Sequence, residues 1–418
     1  MTYALPLACY AYDLLTGTPV GQIPLRSVQF SSQLNTAGQL TATLDLSDPR
    51  VQATSPLACT TPNRTLLVVD YRGALVWAGV VTTRNWSVAS SATDTQRTLQ
   101  VQASELWAYF SQRVQGTDYS APPYSGINPG GMPLWLASLW DASLIACQIL
   151  TDIRGVTNGN PLGGTGLLLN GATPNGLYPA ASSGNWIAVN YPYTSMQTVG
   201  MIITQLSQLG LGVGFDFGVD CAYSSGPGSA PTATINVSYP RRGRLAAQSQ
   251  LIADLQAARS YSFPEDGSQT ANTVYEAGGS SAIVVDQNST AISAGYPVWE
   301  KVISRANAQS ANIISLLSQC GIADIILYTY AQVTPTITLD LFNPTVPIGS
   351  FIVGDDIRIV CPTIGADGQI YDPRFPAGLD QEWRITGYQA TVADAGDSTL
   401  TLNLALPPLY LNPISPAI

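Results

Sequence analysis

The sequence carries the same hairpin pattern twice, once near each end. Apolar and polar side chains alternate through residues 27–46 on both sides of Thr36-Ala37-Gly38, and again through residues 383–406 around Ala393-Asp394-Ala395-Gly396. Alternation of period two around a short Gly-containing connection predicts two antiparallel strands joined by a turn. A repeated module limits the possible architectures, so this feature constrains the fold most.

The turns and return strands of the two hairpins can be aligned residue by residue. Residues 37–46 and 395–404 share Ala, Gly, two Thr and two Leu at equivalent positions. One interpretation is that any exposed hairpin of Thr and Leu would look like this. The other is that one β module occurs at both ends of the chain, with other material between.

Composition indicates that partners cover much of the surface. Charged residues make up 11% of the 418 residues, against roughly a quarter in an ordinary soluble domain. The net charge is −10, and Lys301 is the sole lysine. Without a basic stripe, sequence-directed nucleic-acid binding is not expected, although DNA could slide past an acidic wall.

Cysteine usage and hydropathy predict a soluble protein made in a cytoplasm. The six cysteines lie far apart without C-x-x-C spacing, so we expect reduced, mostly buried thiols. The first basic residue is Arg26, which argues against a cleaved signal peptide. Residues 134–153 and 313–331 are interrupted by polar or charged residues, so no membrane insertion is expected.

The order of predicted elements indicates a mainly β chain with an α/β middle region. We predict two small antiparallel β-barrels of similar topology, one at each end. The first comprises residues 1–112, and an α/β domain with long Gly/Pro/Ser loops covers 113–262. The second barrel comprises 263–418, with an inserted helical segment near 300–330. Helices are predicted at 105–112, 133–153, 194–209 and 306–318, the last ending near Gly321.

Catalytic and metal-binding patterns are scarce. The sequence has no histidine, which removes Ser-His-Asp and Cys-His machinery and His-ligated zinc. Acidic pairs remain as candidates, although turn or solvated-strand roles explain them more simply; they are Glu265 with Asp266, Asp216 with Asp220, and Asp355 with Asp356. We therefore expect no enzymatic activity, no metal and no cofactor.

One basic cluster stands out, at Arg241-Arg242-Gly243-Arg244. It is either a solvated strand end or an anchor for a neighbouring acidic subunit, so Arg241, Arg242 and Arg244 are candidate subunit-interface residues. Trp77, Trp86 and Trp107 are expected in the core or at its cap, and a sugar-binding platform is the less favoured alternative.

Several segments resemble a known family. They are Leu44-Asp45-Leu46-Ser47-Asp48-Pro49-Arg50-Val51, Thr61-Pro62-Asn63-Arg64-Thr65, Ala74-Leu75-Val76-Trp77-Ala78-Gly79 and Ser104-Glu105-Leu106-Trp107-Ala108-Tyr109-Phe110. With them, residues 40–110 resemble the opening domain of tail hub proteins (baseplate hub or minor tail proteins) of long-tailed bacteriophages, particularly those infecting actinobacteria. Residues 349–358 and 383–388 are similar to the second barrel of that family, in a shorter match.

The resemblance implies a structural virion protein at the tail tip, assembled in the host cytoplasm. It implies a homotrimer around a DNA channel, in which three chains with two barrels each match a six-fold tail tube. The implied partners are the tail tube or distal tail protein ring, the tail-tip or fibre proteins, and the tape-measure protein. Loops within 114–190 would contact the fibres or narrow the channel.

Two alternatives remain at this point. A distal tail protein or another tail-tip ring would assemble as six copies. A carbohydrate-active or carbohydrate-binding β protein belongs to a different functional class.

Overall fold

The computed structural model describes residues 7–90, 95–114, 119–120, 140–154, 162, 167–170, 186–191, 193–208, 214–239, 241–305, 308–309, 313–393 and 398–406. The predicted turn at 393–396 lies mostly outside these residues, as do most of the loops in 114–190. Within the described part, no helix is both long enough and apolar enough to span a membrane.

The N-terminal part is built from short antiparallel strands, as the alternating pattern predicts. Its strands are β1 (Leu7–Asp13), β2 (Pro19–Gln22), β3 (Arg26–Gln33), β4 (Gln39–Asp45), β5 (Thr65–Tyr71), β6 (Ala74–Ser90) and β7 (Thr95–Glu105). Its helices are α1 (Pro49–Gln52), α2 (Pro56–Cys59) and α3 (Trp107–Gln112). Proline begins α1 and α2, where its fixed φ suits a first helical turn.

The middle part mixes helices and strands. Its strands are β8 (Tyr119–Ser120), β9 (Trp140–Asp141), β10 (Leu167–Asn170), β11 (Trp186–Tyr191), β12 (Asp216–Tyr223), β13 (Pro231–Ser238), β14 (Leu251–Asp254) and β15 (Ser260–Ser262). Its helices are α4 (Ala142–Arg154), α5 (Val199–Gln208) and α6 (Ala246–Ser249), with a 3-10 turn at Tyr193–Ser195. The predicted helices at 133–153 and 194–209 correspond to α4 and α5 within the described residues.

The C-terminal part returns to strands around one long helix. Its strands are β16 (Glu265–Asp266), β17 (Thr273–Gly278), β18 (Ile283–Gln287), β19 (Glu300–Arg305), β20 (Ala308–Gln309), β21 (Gln332–Val333), β22 (Thr336–Asp340), β23 (Asp356–Cys361), β24 (Leu379–Val392) and β25 (Thr399–Ala405). Its helices are α7 (Ser289–Ser293) and α8 (Ile313–Tyr328), with a 3-10 turn at Gly279–Ser281.

Strands from both ends of the chain join in one 13-stranded sheet. The order is β15-β22-β25-β24-β3-β4-β7-β6-β5-β1-β2, with β23 and then β14 branching from β24. Because β24 is 14 residues long, its first half pairs with β23 and its second half with β3 along one edge. β25 occupies its other edge. The fold is therefore mainly β, as predicted, and its strands form a large antiparallel sheet.

The two repeated hairpins lie side by side in this sheet, in the order β4-β3-β24-β25. β3 and β24 are antiparallel, from the pair Val28–Val392 to the pair Gln33–Gly387. Since a local two-fold axis relates antiparallel neighbours, the hairpins occupy symmetric positions. β7 extends the sheet beyond β4, and β22 extends it beyond β25, both by antiparallel pairing.

One hydrophobic core, here called the first core, lies under the pairing of β3 with β24. Phe30 and Tyr388 are fully or nearly buried, and their rings meet edge to face with centroids 6.3 Å apart. The Tyr388 hydroxyl donates to the Val76 carbonyl at 3.2 Å, and Trp77 Nε1 donates to the Ser31 carbonyl at 2.9 Å. The core therefore contains side chains from both ends of the chain.

The predicted pair of separate barrels is not confirmed. Among the described residues the strand order has free ends at β2, β14 and β15, and does not close into a ring. The predicted domain limits at 112 and 262 remain a prediction.

The middle part packs on the outer face of β5 and β6. Leu67 and Val69 enter the first core, while Leu66 and Val68 point the other way into a second core. Helices α3, α4 and α5 and strands β12 and β13 complete this second core. β5 is thus buried on both faces, which explains its uninterrupted apolar run.

A separate two-layer unit, here called the inserted layer, consists of β17, β18, β19 and α8. β17 pairs antiparallel with β18 and parallel with β19, and α8 covers one face of this sheet. The predicted helix end near Gly321 is wrong, because α8 continues to Tyr328. A Cβ on Gly321 would lie 2.0 Å from Asp286 Oδ2, so this glycine permits close helix–sheet packing.

Replacing Phe30 by Ala should destabilise both ends of the chain, because its ring packs across the two repeated hairpins. The expected loss is about 3–5 kcal/mol, typical of a large-to-small change in a packed core. Hydrogen exchange should show reduced protection in β24 and β25 as well as in β3. Trp86→Ala, at a side chain that is 45% exposed, is the control. Loss of protection confined to residues 7–105 would contradict the shared core.

Candidate functional site

The basic turn Arg241-Arg242-Gly243-Arg244 lies between β13 and α6, against the loop that leads into β23. Gly243 has φ +94°, and a Cβ on it would lie 2.1 Å from the carbonyl carbon of Gly354. Only glycine satisfies both requirements without strain. Gly243 therefore lets the turn approach the C-terminal part of the sheet more closely than it could with any other residue at this position.

Arg241 forms a buried, two-pronged ion pair with Asp356, the first residue of β23. Its Nη1 and Nη2 donate to Asp356 Oδ2 at 3.0 Å and to Oδ1 at 2.7 Å. Nη2 also donates to the Gly354 carbonyl at 2.6 Å. The side chains of Arg241 and Asp356 are 4% and 2% exposed. This fork geometry is the strongest arrangement available to arginine and a carboxylate.

Arg244 holds the neighbouring carboxylate, Asp355. The Arg244 backbone N–H donates to Asp355 Oδ1 at 2.6 Å, and its Nε and Nη2 donate to Oδ2 at 3.1 and 2.6 Å. The hydrogen bond to Asp355 raises the pKa of Arg244. The Asp355 side chain is fully buried, whereas Arg244 is 43% exposed.

Two further ion pairs connect the turn to β12 and β24. Arg242 Nη2 contacts Asp220, and Arg384 Nη2 contacts Asp216. Asp216 also accepts from the Arg242 backbone N–H at 2.7 Å and from Asn35 Nδ2 at 3.2 Å. Asn35 lies between β3 and β4, so the pairs reach the first repeated hairpin.

These contacts form one cluster, here called the arginine junction, made of Arg241, Arg242, Arg244, Arg384, Asp216, Asp220, Asp355 and Asp356. Four guanidinium groups face four carboxylates, which balances the formal charge. Breaking a buried pair leaves an uncompensated charge, so such clusters fix geometry even where their net stabilisation is small. The junction fixes the middle part against the shared sheet.

The sequence-based candidates fall partly inside this junction. Asp216 and Asp220 do share a side of β12, but the expectation that this side faces water is wrong for Asp216, which is buried against arginine. Asp355 and Asp356 do enter a strand from a turn, and both are buried. Glu265 and Asp266 lie elsewhere, exposed on β16.

The arginines predicted at a subunit contact use their guanidinium groups within the chain. Arg241 and Arg242 are each 9% exposed, so Arg244 is the member of the turn with most surface left. Their role toward a neighbouring subunit stays a prediction. The sequence patterns did not identify Arg384 or Asn35 as part of this site. For Arg384 the sequence does contain a signal, a lone arginine inside the apolar segment Trp383-Arg384-Ile385.

Glu105 lies beside the junction at the end of β7. Its Oε2 accepts from the Gly38 backbone N–H at 2.7 Å, in the turn of the first repeated hairpin. Burial raises the pKa of Glu105 to about 7, although hydrogen bonds from Gly38 and Ser32 and the charge of Arg242 lower it.

The described residues near the arginine junction offer little for nucleophilic catalysis or metal binding. Burial raises the pKa of Cys221 to about 12, so its thiol is unreactive at neutral pH. Five of the six cysteines are buried, as predicted, and none of the six forms a disulfide. In the part of the chain that the structure describes, no group of three His, Cys, Asp or Glu side chains is placed to hold a metal ion.

The fold is similar to that of two solved tail proteins, one of them from a prophage. A tail protein from Neisseria meningitidis matches with a TM-score of 0.55 at 11% identity, covering 96% of each chain. The 43 kDa tail protein of prophage MuSo2 from Shewanella oneidensis matches with a TM-score of 0.54 at 12% identity, covering 96% of this chain and 98% of that one. No family model matches the sequence. No curated protein matches it either.

Replacing Arg241 by Met should cost about 3–5 kcal/mol of unfolding free energy, because Asp356 would keep a buried charge without a partner. Adding Asp356→Asn should restore part of that loss, giving a favourable coupling energy in urea denaturation. Arg358→Met, in an ion pair whose partners are 49% and 59% exposed, is the control and should change stability little. Additive losses in the double variant would contradict a coupled pair.

Glu105 should make folding stability depend on pH near neutrality. A carboxyl pKa raised by folding gives stability that is complete below the unfolded value, near 4.5, and is lost as the pH rises toward about 7. Glu105→Gln cannot ionise, so the wild type should lose stability relative to it between about pH 5 and pH 8. The exposed Glu265→Gln serves as the control in thermal unfolding. Parallel curves for wild type and Glu105→Gln would refute the assignment.

Proposed function

We propose that the protein is a structural component of a bacteriophage tail. The observation that carries this proposal is a fold correspondence with two tail proteins, one of them from a prophage, over nearly the full length of all three chains. The arginine junction supports it, because carboxylates considered for catalysis at Asp216, Asp220, Asp355 and Asp356 are engaged by arginine.

Within the tail, we assign the protein to a trimeric hub at the distal end of the tube. The order β4-β3-β24-β25 gives each chain two equivalently placed hairpins, so three chains offer six. Such a ring can meet a six-fold tube on one side and a three-fold tip on the other. This proposal includes two further statements. The two ends of the chain are barrel units of similar topology, and the protein is similar to tail hub proteins of phages that infect actinobacteria.

The proposed partners follow from that position. The tail tube or distal tail protein ring lies above the hub, the tail-tip or fibre proteins lie below, and the tape-measure protein lies within the channel. The net charge of −10 and the scarcity of basic residues suit a wall past which DNA moves without binding. The protein would be assembled in the host cytoplasm and reside at the tail tip of the virion.

Native mass measurement of the purified protein tests this proposal. Three copies per particle over a range of protein concentrations is the expected result. Six copies would indicate the distal tail ring instead, and a stable single copy would overturn the hub. Incubation with bacterial wall polysaccharide covers the enzymatic alternative: release of sugar products, abolished by Asp216→Asn or Asp355→Asn, would favour a carbohydrate-active protein.

A further inference from the structure

Exposed apolar side chains are concentrated in the inserted layer. Among the described residues, 25 large hydrophobic side chains are exposed; eleven of them fall between residues 283 and 330, and seven of these lie on β18, β19 or α8. Single exposed apolar residues are common on any surface, whereas clusters mark contact sites. This unit therefore differs from the rest of the described surface.

One cluster, here called the sheet face, lies on the side of β17, β18 and β19 that faces away from α8. Val285 and Val302 flank Tyr275 in the strand register, and Ile283 lies two residues further along β18. Ile283, Val285 and Val302 are 61%, 52% and 70% exposed. Alternate residues point the other way: Val274 packs against Ile325 of α8 in a small core.

The other cluster, here called the helix face, lies on the outer side of α8. Ile314, Ile322 and Ile326 are 55%, 55% and 53% exposed. Ile322 and Ile326 are four residues apart and share one side of the helix, whereas Ile314 lies in its first turn. Leu317, nine residues before Ile326 and therefore on the opposite side, is buried, and Ile325 is buried against Val274. The inserted layer thus presents an apolar surface on each of its two outer sides.

Charge is nearly absent from both faces. Glu276 and Arg305 pair between the sheet and α8, with exposed side-chain fractions of 0% and 9%. The ammonium group of Lys301 lies 3.7 Å from the Tyr328 ring centroid on that same inner side. On the sheet face the exposed carboxyl is Glu300, which accepts from the Tyr275 hydroxyl at 2.8 Å.

We propose that the sheet face of one copy of this chain packs against the helix face of the next copy. Copies that each carry a net charge of −10 repel one another, and the repulsion is least where the contact surfaces are uncharged. Two different faces on opposite sides of one unit suit a head-to-tail contact, which closes into a ring when the rotation permits. The inference rests on the proposed ring and names the surfaces that close it.

Single glutamates on the two faces test the contact. Val302→Glu damages the sheet face and Ile326→Glu damages the helix face, so each variant alone should be monomeric in native mass measurement. An equimolar mixture retains one intact pair of faces, so it should form a dimer with one copy of each variant. Val285→Glu repeats the test of the sheet face, and far-UV circular dichroism verifies that each variant is folded.

Val88→Glu is the control, since Val88 is 68% exposed on β6, outside the inserted layer. It should assemble like the wild type. If the wild type is trimeric and both Val302→Glu and Ile326→Glu remain trimeric, the contact is wrong while the hub stands. A mixture that stays monomeric, or disruption by Val88→Glu, also overturns the contact. A monomeric wild type would overturn the contact and the hub together.

Discussion

The antiparallel pairing of β3 with β24 is the constraint on which the rest of the structure depends. It joins strands from opposite ends of the chain, over six residue pairs, into one sheet. Once they are paired, Phe30 and Tyr388 share a core, and the first hairpin becomes the symmetric neighbour of the last. The chain between residues 46 and 378 adds further strands to this sheet and leaves it twice. The middle part and the inserted layer are the two excursions.

The arginine junction fixes the first of these excursions. Its ion pairs connect the ends of β12 and β13 to the loop before β23 and to β24, and Asn35 ties it to the first hairpin. Because buried charges tolerate few alternative arrangements, the middle part has a defined orientation on the sheet. The proposed role as an adaptor between two rings requires this rigidity. In contrast, the inserted layer leaves two of its own sides exposed, which is the property expected of the element that meets a neighbouring copy.

The sequence predicted local elements well and their partners poorly. Alternation around short turns located most strands, because a hairpin is specified by adjacent residues. The same alternation carries no information about which distant strand is a neighbour, so it does not predict the pairing of β3 with β24. The basic turn at 241–244 is evident in the sequence, but its partner Asp355 lies 111 residues from Arg244. The predicted helix end at Gly321 is wrong for a related reason. The glycine is explained by a tertiary contact with Asp286, which the local sequence does not show.

Cryo-electron microscopy of the purified assembly, viewed along its axis, tests the central claim most directly. The account predicts three copies arranged so that β4-β3-β24-β25 from each contributes two equivalent hairpins, giving six similar densities around the channel at one end and three at the other. A particle in which only one hairpin per chain faces the channel, or in which the two hairpins lie on unrelated surfaces, would contradict it.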